Sequence, residues 1–154
     1  MNSVTVRPAA SEHAQAMAAL ADSLKEWFTP DVPAKVRAEA EGSPGLVALD
    51  DDGALVGFLI WEQKSHEYEI KWIAVARERH RQGIGRLLVS RLVALMRDAG
   101  VMRLRVDTVA PNVEYEPYAR TRSFYQACAF KLESTEPAGW PDGTDKATYA
   151  MLLL

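Results

Sequence analysis

The 154 residues carry 48% hydrophobic and 25% charged side chains, ordinary globular usage at the size of one domain folding around its own core. A formal net charge of -3 offers no basic excess for phosphate-bound nucleic acid, and no apolar run approaches the roughly 18 residues of a membrane span. Cys128 is the only cysteine, which excludes an internal disulfide, and no zinc-ligand spacing occurs. With no apolar stretch behind a positive start in Met1 to Ala10, the expectation is a soluble, cytoplasmic protein forming a single domain over 1–154.

Val4 to Arg7 alternates apolar and polar residues ahead of Pro8, as a short strand does, and Ser11 with Glu12 offers a cap for a helix near 11–26. Trp27, Phe28, Thr29 and Pro30 interrupt it, and Asp31 offers a cap for a second helix reaching towards Glu41. Leu46–Leu49 and Ala54–Trp61 flank Asp50-Asp51-Asp52-Gly53, residues that accept the positive φ angles of a tight turn, so a hairpin is predicted. An extended segment follows over about 68–75. From Gly83 to Ala99, Leu88, Leu92, Leu95 and Ala99 recur at helical spacing, with Gly100 as a stop. A strand over Met102–Val106, a helix over Arg120–Ala127 and a strand over Lys146–Leu153 complete the order, with a long connection from Val109 to Tyr118. Strand, two helices, three strands, helix, strand, helix, strand indicates an α+β fold, a mixed sheet partly covered by helices.

The segment His80-Arg81-Gln82-Gly83-Ile84-Gly85-Arg86 follows a strand and opens an amphipathic helix. Its glycines let the backbone turn sharply, and the first amides of the helix, at the positive end of the helix dipole, make a site for a pyrophosphate. Arg77, Arg79, Arg81 and Arg86 add positive charge for phosphates. A Gly-x-Gly before a helix can also be no more than a turn. No Gly-Lys-Ser/Thr ending marks a nucleotide P-loop, and the third glycine of a dinucleotide site is missing.

This stretch resembles the signature Arg/Gln-x-x-Gly-x-Gly/Ala of the GNAT N-acetyltransferases, with Gly83 and Gly85 in the glycine positions, His80 where Arg or Gln is usual, and Glu69 to Val75 matching the family's central strand. Downstream, Thr121 to Phe130 is similar to the family's later motif, with an aromatic-Tyr pair at Phe124 and Tyr125, Ala129 in place of the usual glycine before Phe130, and Tyr118 where an asparagine is common. The resemblance covers about 68–130. It implies a mostly antiparallel central sheet of six or seven strands with about four helices, and transfer of the acetyl group of acetyl-CoA directly to a primary amine of a small molecule or peptide, with no metal.

By the same resemblance the pyrophosphate sits on Arg81, Gln82, Gly83, Ile84, Gly85 and Arg86, and the pantetheine arm pairs with the backbone of Ile73, Ala74 and Val75. An attacking amine must first lose a proton, since a lysine-like pKa is about 10.4. Glu69 matches the family's general base and Tyr125 the acid that protonates the departing sulfur, with Glu67, on the same face by period two, in reserve. Glu69 could equally be the solvent-facing residue of an alternating strand, and Tyr125 a core tyrosine. Cys128 with His13, His66 or His80 is a weaker nucleophilic arrangement, because Ala-Cys-Ala-Phe is the setting of an inert buried thiol. Trp27, Phe28 and Tyr118, and further Trp61, Glu62 and Tyr115, are candidates for the acceptor pocket or else ordinary core. A noncatalytic acyl-CoA sensor is the rival function, and an enzyme on charged tRNA has the wrong overall charge. Acetyl-CoA and an amine are the expected partners, with no nucleic acid or membrane and a homodimer left open.

Overall fold

The computed structural model describes residues 3–65 and 67–153. The chain runs β1 (Thr5–Pro8), a 3₁₀ turn at Ser11–His13, α1 (Ala14–Ser23), α2 (Val32–Gly42), β2 (Gly45–Leu49), β3 (Leu55–Lys64), β4 (Glu67–Val75), a second 3₁₀ turn at Arg77–Arg79, α3 (Ile84–Asp98), β5 (Arg103–Val109), α4 (Glu116–Ala127), β6 (Lys131–Glu136) and β7 (Lys146–Leu152). The strands form one open sheet in the order β1-β2-β3-β4-β5-β7-β6, parallel between β4 and β5 and antiparallel in the β1–β2, β2–β3, β5–β7 and β6–β7 ladders. This is the mixed, mostly antiparallel α+β sheet with four helices that the resemblance implied. No helix among the described residues is long and apolar enough to cross a membrane.

Two compact units share the chain, one of Met1–Glu62 with Lys71–Leu95, the other of Gln63–Ile70 with Met96–Leu154. In the first, Met17 of α1 and Val36 of α2 are fully buried with Val47, Phe58 and Ile60 of β2 and β3. The β2–β3 turn closes as its composition dictates. Asp50 Oδ1 accepts the amides of Asp52 and Ala54, both at 2.9 Å, and Gly53 takes φ +82°, the one residue of the four in the left-handed region. Gly57 of β3 lets α3 lie against the sheet, since a Cβ there would come within 3.2 Å of both the Ala74 carbonyl and the Ile84 side chain.

Helix limits differ from the sequence expectation in ways that local chemistry explains. The first helix starts at Ala14, because His13 Nδ1 accepts the Ala10 amide at 2.9 Å and winds Ser11–His13 into a 3₁₀ turn, so Ser11 caps nothing. It ends at Ser23, three residues early, where Leu24 leaves helical angles. Asp31 stands at the start of α2 without a side-chain cap bond; its carboxylate takes the Thr29 hydroxyl and pairs with Lys35 at 2.8 Å instead. On α3, Ile84, Leu88, Val89, Leu92, Val93 and Met96 are buried while Leu95 is exposed, so the apolar stripe lies beside the one expected. The last helix begins at Glu116 rather than Arg120, with Pro117 in its first turn, where a missing amide costs nothing. The connection after β5 is correspondingly shorter than the Val109–Tyr118 loop expected, and Tyr118 is helical.

In the second unit β5 alternates outward and buried residues, with Leu104 and Val106 facing the same core as Ala147 and Tyr149 of β7, Tyr125 of α4 and Phe130. Met102 lies before β5 and is exposed. β6 was not expected: every residue of Lys131–Glu136 is exposed, and only its ladder with β7 makes it a strand. Between α4 and β6, Ala129 takes φ +75°, the conformation for which glycine is preferred. Ala129→Gly is therefore expected to raise stability by about 1 kcal/mol, read as a higher midpoint in urea with an unchanged slope.

Candidate active site

The bend between β4 and α3 is built as a cradle. Arg81 and Gly83 take φ +66° and +82°, and the first amide to enter the helical ladder is that of Leu87, on the Gly83 carbonyl at 3.0 Å. The amides of Gly83, Ile84 and Gly85 precede it, at the end of the helix where backbone donors lack a carbonyl one turn back and the dipole is positive. A Cβ on Gly83 would meet nothing within 4 Å, and a depression of about 240 Å³ lined by Val4, Gln82, Gly83, Ile84 and Leu87 opens there. These residues fit the pyrophosphate of an acyl-CoA. Arg81 and Arg86 are exposed at the bend. Arg77 and Arg79, expected to serve phosphates, are committed elsewhere: Arg77 to Glu26 and the Ser23 carbonyl, Arg79 to Asp50 at 3.8 Å and Gln82 Oε1 at 3.3 Å.

The end of β4 is oriented by its neighbours. Ala76 donates to the Val56 carbonyl at 2.9 Å, so the main chain of Ala76, and of Ala74 two residues earlier, turns towards β3. Main-chain groups alternate in direction along a strand, so those of Ile73 and Val75 point the other way. His80 Nε2 bonds the Val75 carbonyl at 2.8 Å, and its ring meets Trp27 edge-on, centroids 5.4 Å apart. Phe28 packs edge-on against Trp72 at 6.0 Å. The Trp72 indole donates to Glu39, which also lies 3.6 Å from Lys71 Nζ, and Glu62 lies 3.7 Å from the same ammonium. Trp27, Phe28 and Trp72 are all partly buried against the core of this unit.

In the second unit Glu69 is not the solvent-facing residue of an alternating strand. It is 7% exposed, with Lys64 Nζ at 3.8 Å and Arg105 opposite it across the parallel ladder. Glu67 is held by Arg103 and by Arg105 at 2.9 Å, and the Arg105 hydrogen bond, with the charge of both guanidiniums, keeps its carboxyl below the usual glutamate range. Asp107 completes the row, accepting from Arg105 at 3.0 Å and from the Thr148 hydroxyl at 2.7 Å.

Tyr125 sits within 5.4, 5.7 and 6.4 Å of the Phe124, Phe130 and Tyr149 rings. Burial, and to a lesser degree the Cys128 thiol, pushes its hydroxyl well above the ordinary tyrosine range, so it stays protonated. Ladder partners share a face and neighbours on a strand do not. Glu69 pairs with Arg105, while Tyr149, against which Tyr125 packs, pairs with Val106. Glu69 and Tyr125 thus lie on opposite faces of one layer.

The remaining candidates fall as follows. Cys128 is half-buried rather than buried, at the end of α4. His13 and His80 are occupied by Ala10 and Val75, and His66 lies outside the described residues. Tyr118 meets Tyr115 at 4.8 Å, with its pKa raised mainly by burial, and Trp61 is half-buried in β3. Sequence reasoning missed Lys64, five residues from Glu69, and Glu26, Arg103 and Arg105, which grip partners far away along the chain.

The model of the acetyltransferase (GNAT) family matches residues 13–130, most of the chain. The chain belongs to the GNAT family. As a member it is an acyl-CoA-dependent N-acetyltransferase, and acetyl-CoA is the family's acyl donor. Among solved structures, a Desulfovibrio desulfuricans protein assigned to the GNAT acetyltransferases superposes with a TM-score of 0.87 at 25% identity, over 99% of this chain and 100% of its own. An N-acetyltransferase of Staphylococcus aureus gives 0.75 at 19% identity, over 99% of both chains. A Bacillus anthracis chain described as a streptothricin acetyltransferase, in complex with acetyl coenzyme A, gives 0.62 at 14% identity, over 71% of this chain and 62% of its own. These last two share the fold. No curated protein matches the sequence.

Proposed function

We propose that this GNAT protein, one domain over 1–154, transfers the acetyl group directly to a primary amine of a small molecule or peptide, with Glu69 as base and Tyr125 as acid. The observation that carries this reading is the burial of both groups, Glu69 at 7% and Tyr125 at 4% exposed, with the Tyr125 hydroxyl held protonated. Amine attack on the thioester carbonyl needs a base for the amine's proton, and collapse of the tetrahedral intermediate needs a proton for the departing sulfur.

Bound acetyl-CoA supplies a thioester carbonyl for the attack. The amides of Gly83, Ile84 and Gly85 hold its pyrophosphate, with Arg81, Gln82 and Arg86 around them, and Ile73, Ala74 and Val75 align its arm. Glu69 takes the proton that the amine must lose, and Tyr125 O–H donates to the sulfur as it gains charge. Glu67, neutralised by two arginines, is too weak a base to replace Glu69. Direct transfer is favoured over an acyl-Cys128 route, because Ala-Cys-Ala-Phe is an apolar setting that leaves a thiol inert. Trp27 and Phe28 border the acceptor, with Tyr118 a further candidate for contact with it.

The test is thiol release from acetyl-CoA across a panel of amines, beside calorimetry of acetyl-CoA. The wild type should bind acetyl-CoA and release thiol with at least one primary amine. Gly83→Val, whose Cβ meets no protein atom but whose φ is unfavourable by about 1–2 kcal/mol, should weaken acetyl-CoA binding about tenfold or more. Unchanged affinity in that variant would remove the bend from the coenzyme site.

A further inference from the structure

Between β4 and the cradle, the turn Arg77–Arg79 reaches back to the linker that joins α1 to α2. Arg77 Nη2 donates to the Ser23 carbonyl at 3.0 Å, Nε donates to Glu26 Oε2 at 3.1 Å, and Nη2 also meets the other Glu26 oxygen. A planar fork that takes both oxygens of a carboxylate and a carbonyl at a helix end fixes direction as well as distance. Three residues on, His80 holds the Val75 carbonyl and its ring meets Trp27. Trp27 and Phe28 both donate their amides to the Leu24 carbonyl at 3.1 Å, so the linker turns tightly at the residues that the cradle-side turn grips.

Exposure says what this clamp is for. The Arg77 and Glu26 side chains are 51% and 41% exposed, and an ion pair so open to water contributes little to folding. Its effect is on the freedom of the linker. The turn that carries Arg77 and His80 is itself stiff, with Arg79 N on the Ala76 carbonyl at 2.8 Å and His80 N on the Arg77 carbonyl at 3.2 Å. A ligand that grips the amides just beyond it removes motion from the bend, and the turn carries that loss of freedom to the linker.

We propose that Arg77 is a positioning residue that couples occupancy of the Arg81–Arg86 bend to ordering of the 24–31 linker, so that Trp27 and Phe28 are set in place when the coenzyme binds. The proposal rests on the coenzyme reading of the bend. By linkage the coupling runs both ways: whatever orders the linker tightens coenzyme binding by the same factor.

Hydrogen exchange of the whole protein with and without coenzyme A, beside calorimetry of coenzyme A, tests it. In the wild type, coenzyme A should slow exchange in peptides covering 24–31 by about fivefold or more. In Arg77→Ala, protection at 81–87 should remain while the slowing at 24–31 falls below about half of that. Arg77→Lys should recover part of it, and Glu26→Gln should reproduce the loss from the other end without touching the turn. Exchange at 24–31 that ignores coenzyme A in the wild type overturns the coupling, as does slowing that survives both Arg77→Ala and Glu26→Gln. A merely structural clamp would raise exchange equally with and without coenzyme A, leaving the ratio at its wild-type value, and that result also sinks it. Failure of coenzyme A to bind the wild type would instead overturn the coenzyme reading, and the coupling with it.

Discussion

Tyr125→Phe is expected to lower kcat by about 10²- to 10⁴-fold, the usual worth of a positioned general acid, with acetyl-CoA affinity nearly unchanged. Phenylalanine has the same outline, so the contacts with Phe124, Phe130 and Tyr149 survive and the fold should melt close to the wild-type temperature. What is lost is one O–H. Because burial holds that hydroxyl protonated, it is available as a donor at every pH where the enzyme works, and its removal leaves the sulfur to depart as a bare thiolate. A thiol pKa near 8.5 makes this departure slow but not forbidden, so residual turnover should persist. Part of the loss should return with a thioester whose leaving thiol is more acidic. Thiol release at saturating acetyl-CoA measures kcat and calorimetry measures affinity. Unaltered kcat would take the acid role from Tyr125; a weakened affinity of similar size would make its role one of binding.

The features legible in the sequence are those whose cause is local. The β2–β3 hairpin was predicted because Asp50 and Gly53 carry their own turn chemistry, and the structure uses both. The bend before α3 was legible because a glycine between a strand and an amphipathic helix permits the left-handed turn that Gly83 makes at φ +82°. β6 was not, because Lys131–Glu136 has no apolar face and becomes a strand only by pairing with β7. The start of α4 lies at Glu116 rather than Arg120, with Pro117 at home in its first turn. The same division runs through the site. Glu69 and Tyr125 stand in motifs, whereas the grip of Arg77 on Glu26 and that of Arg103 and Arg105 on Glu67 join residues 51, 36 and 38 positions apart. Nothing near those arginines in sequence says that they are spoken for. They therefore read as phosphate ligands, or went unnoticed, until the pairing of β4 with β5 and the return of the linker were known.

Glu69→Gln should lower turnover by about 10²- to 10³-fold near neutral pH and regain it as pH rises. An acceptor amine with a pKa near 10.4 is neutral in only about one molecule in 10³ at pH 7.4. Without a base the variant must wait for that fraction, which grows about tenfold per pH unit until the amine titrates. Its log kcat/KM should therefore climb with a slope near one from about pH 7 to pH 9.5, while the wild type levels off sooner because Glu69 removes the proton in place. Glutamine preserves size and can still accept a hydrogen bond, so the buried position between Lys64 and Arg105 stays filled and only proton acceptance is lost. A variant profile that runs parallel to the wild type at equal rate would clear Glu69 of base duty. One that runs parallel but uniformly lower, with no gain at high pH, would make Glu69 a residue that orients the amine.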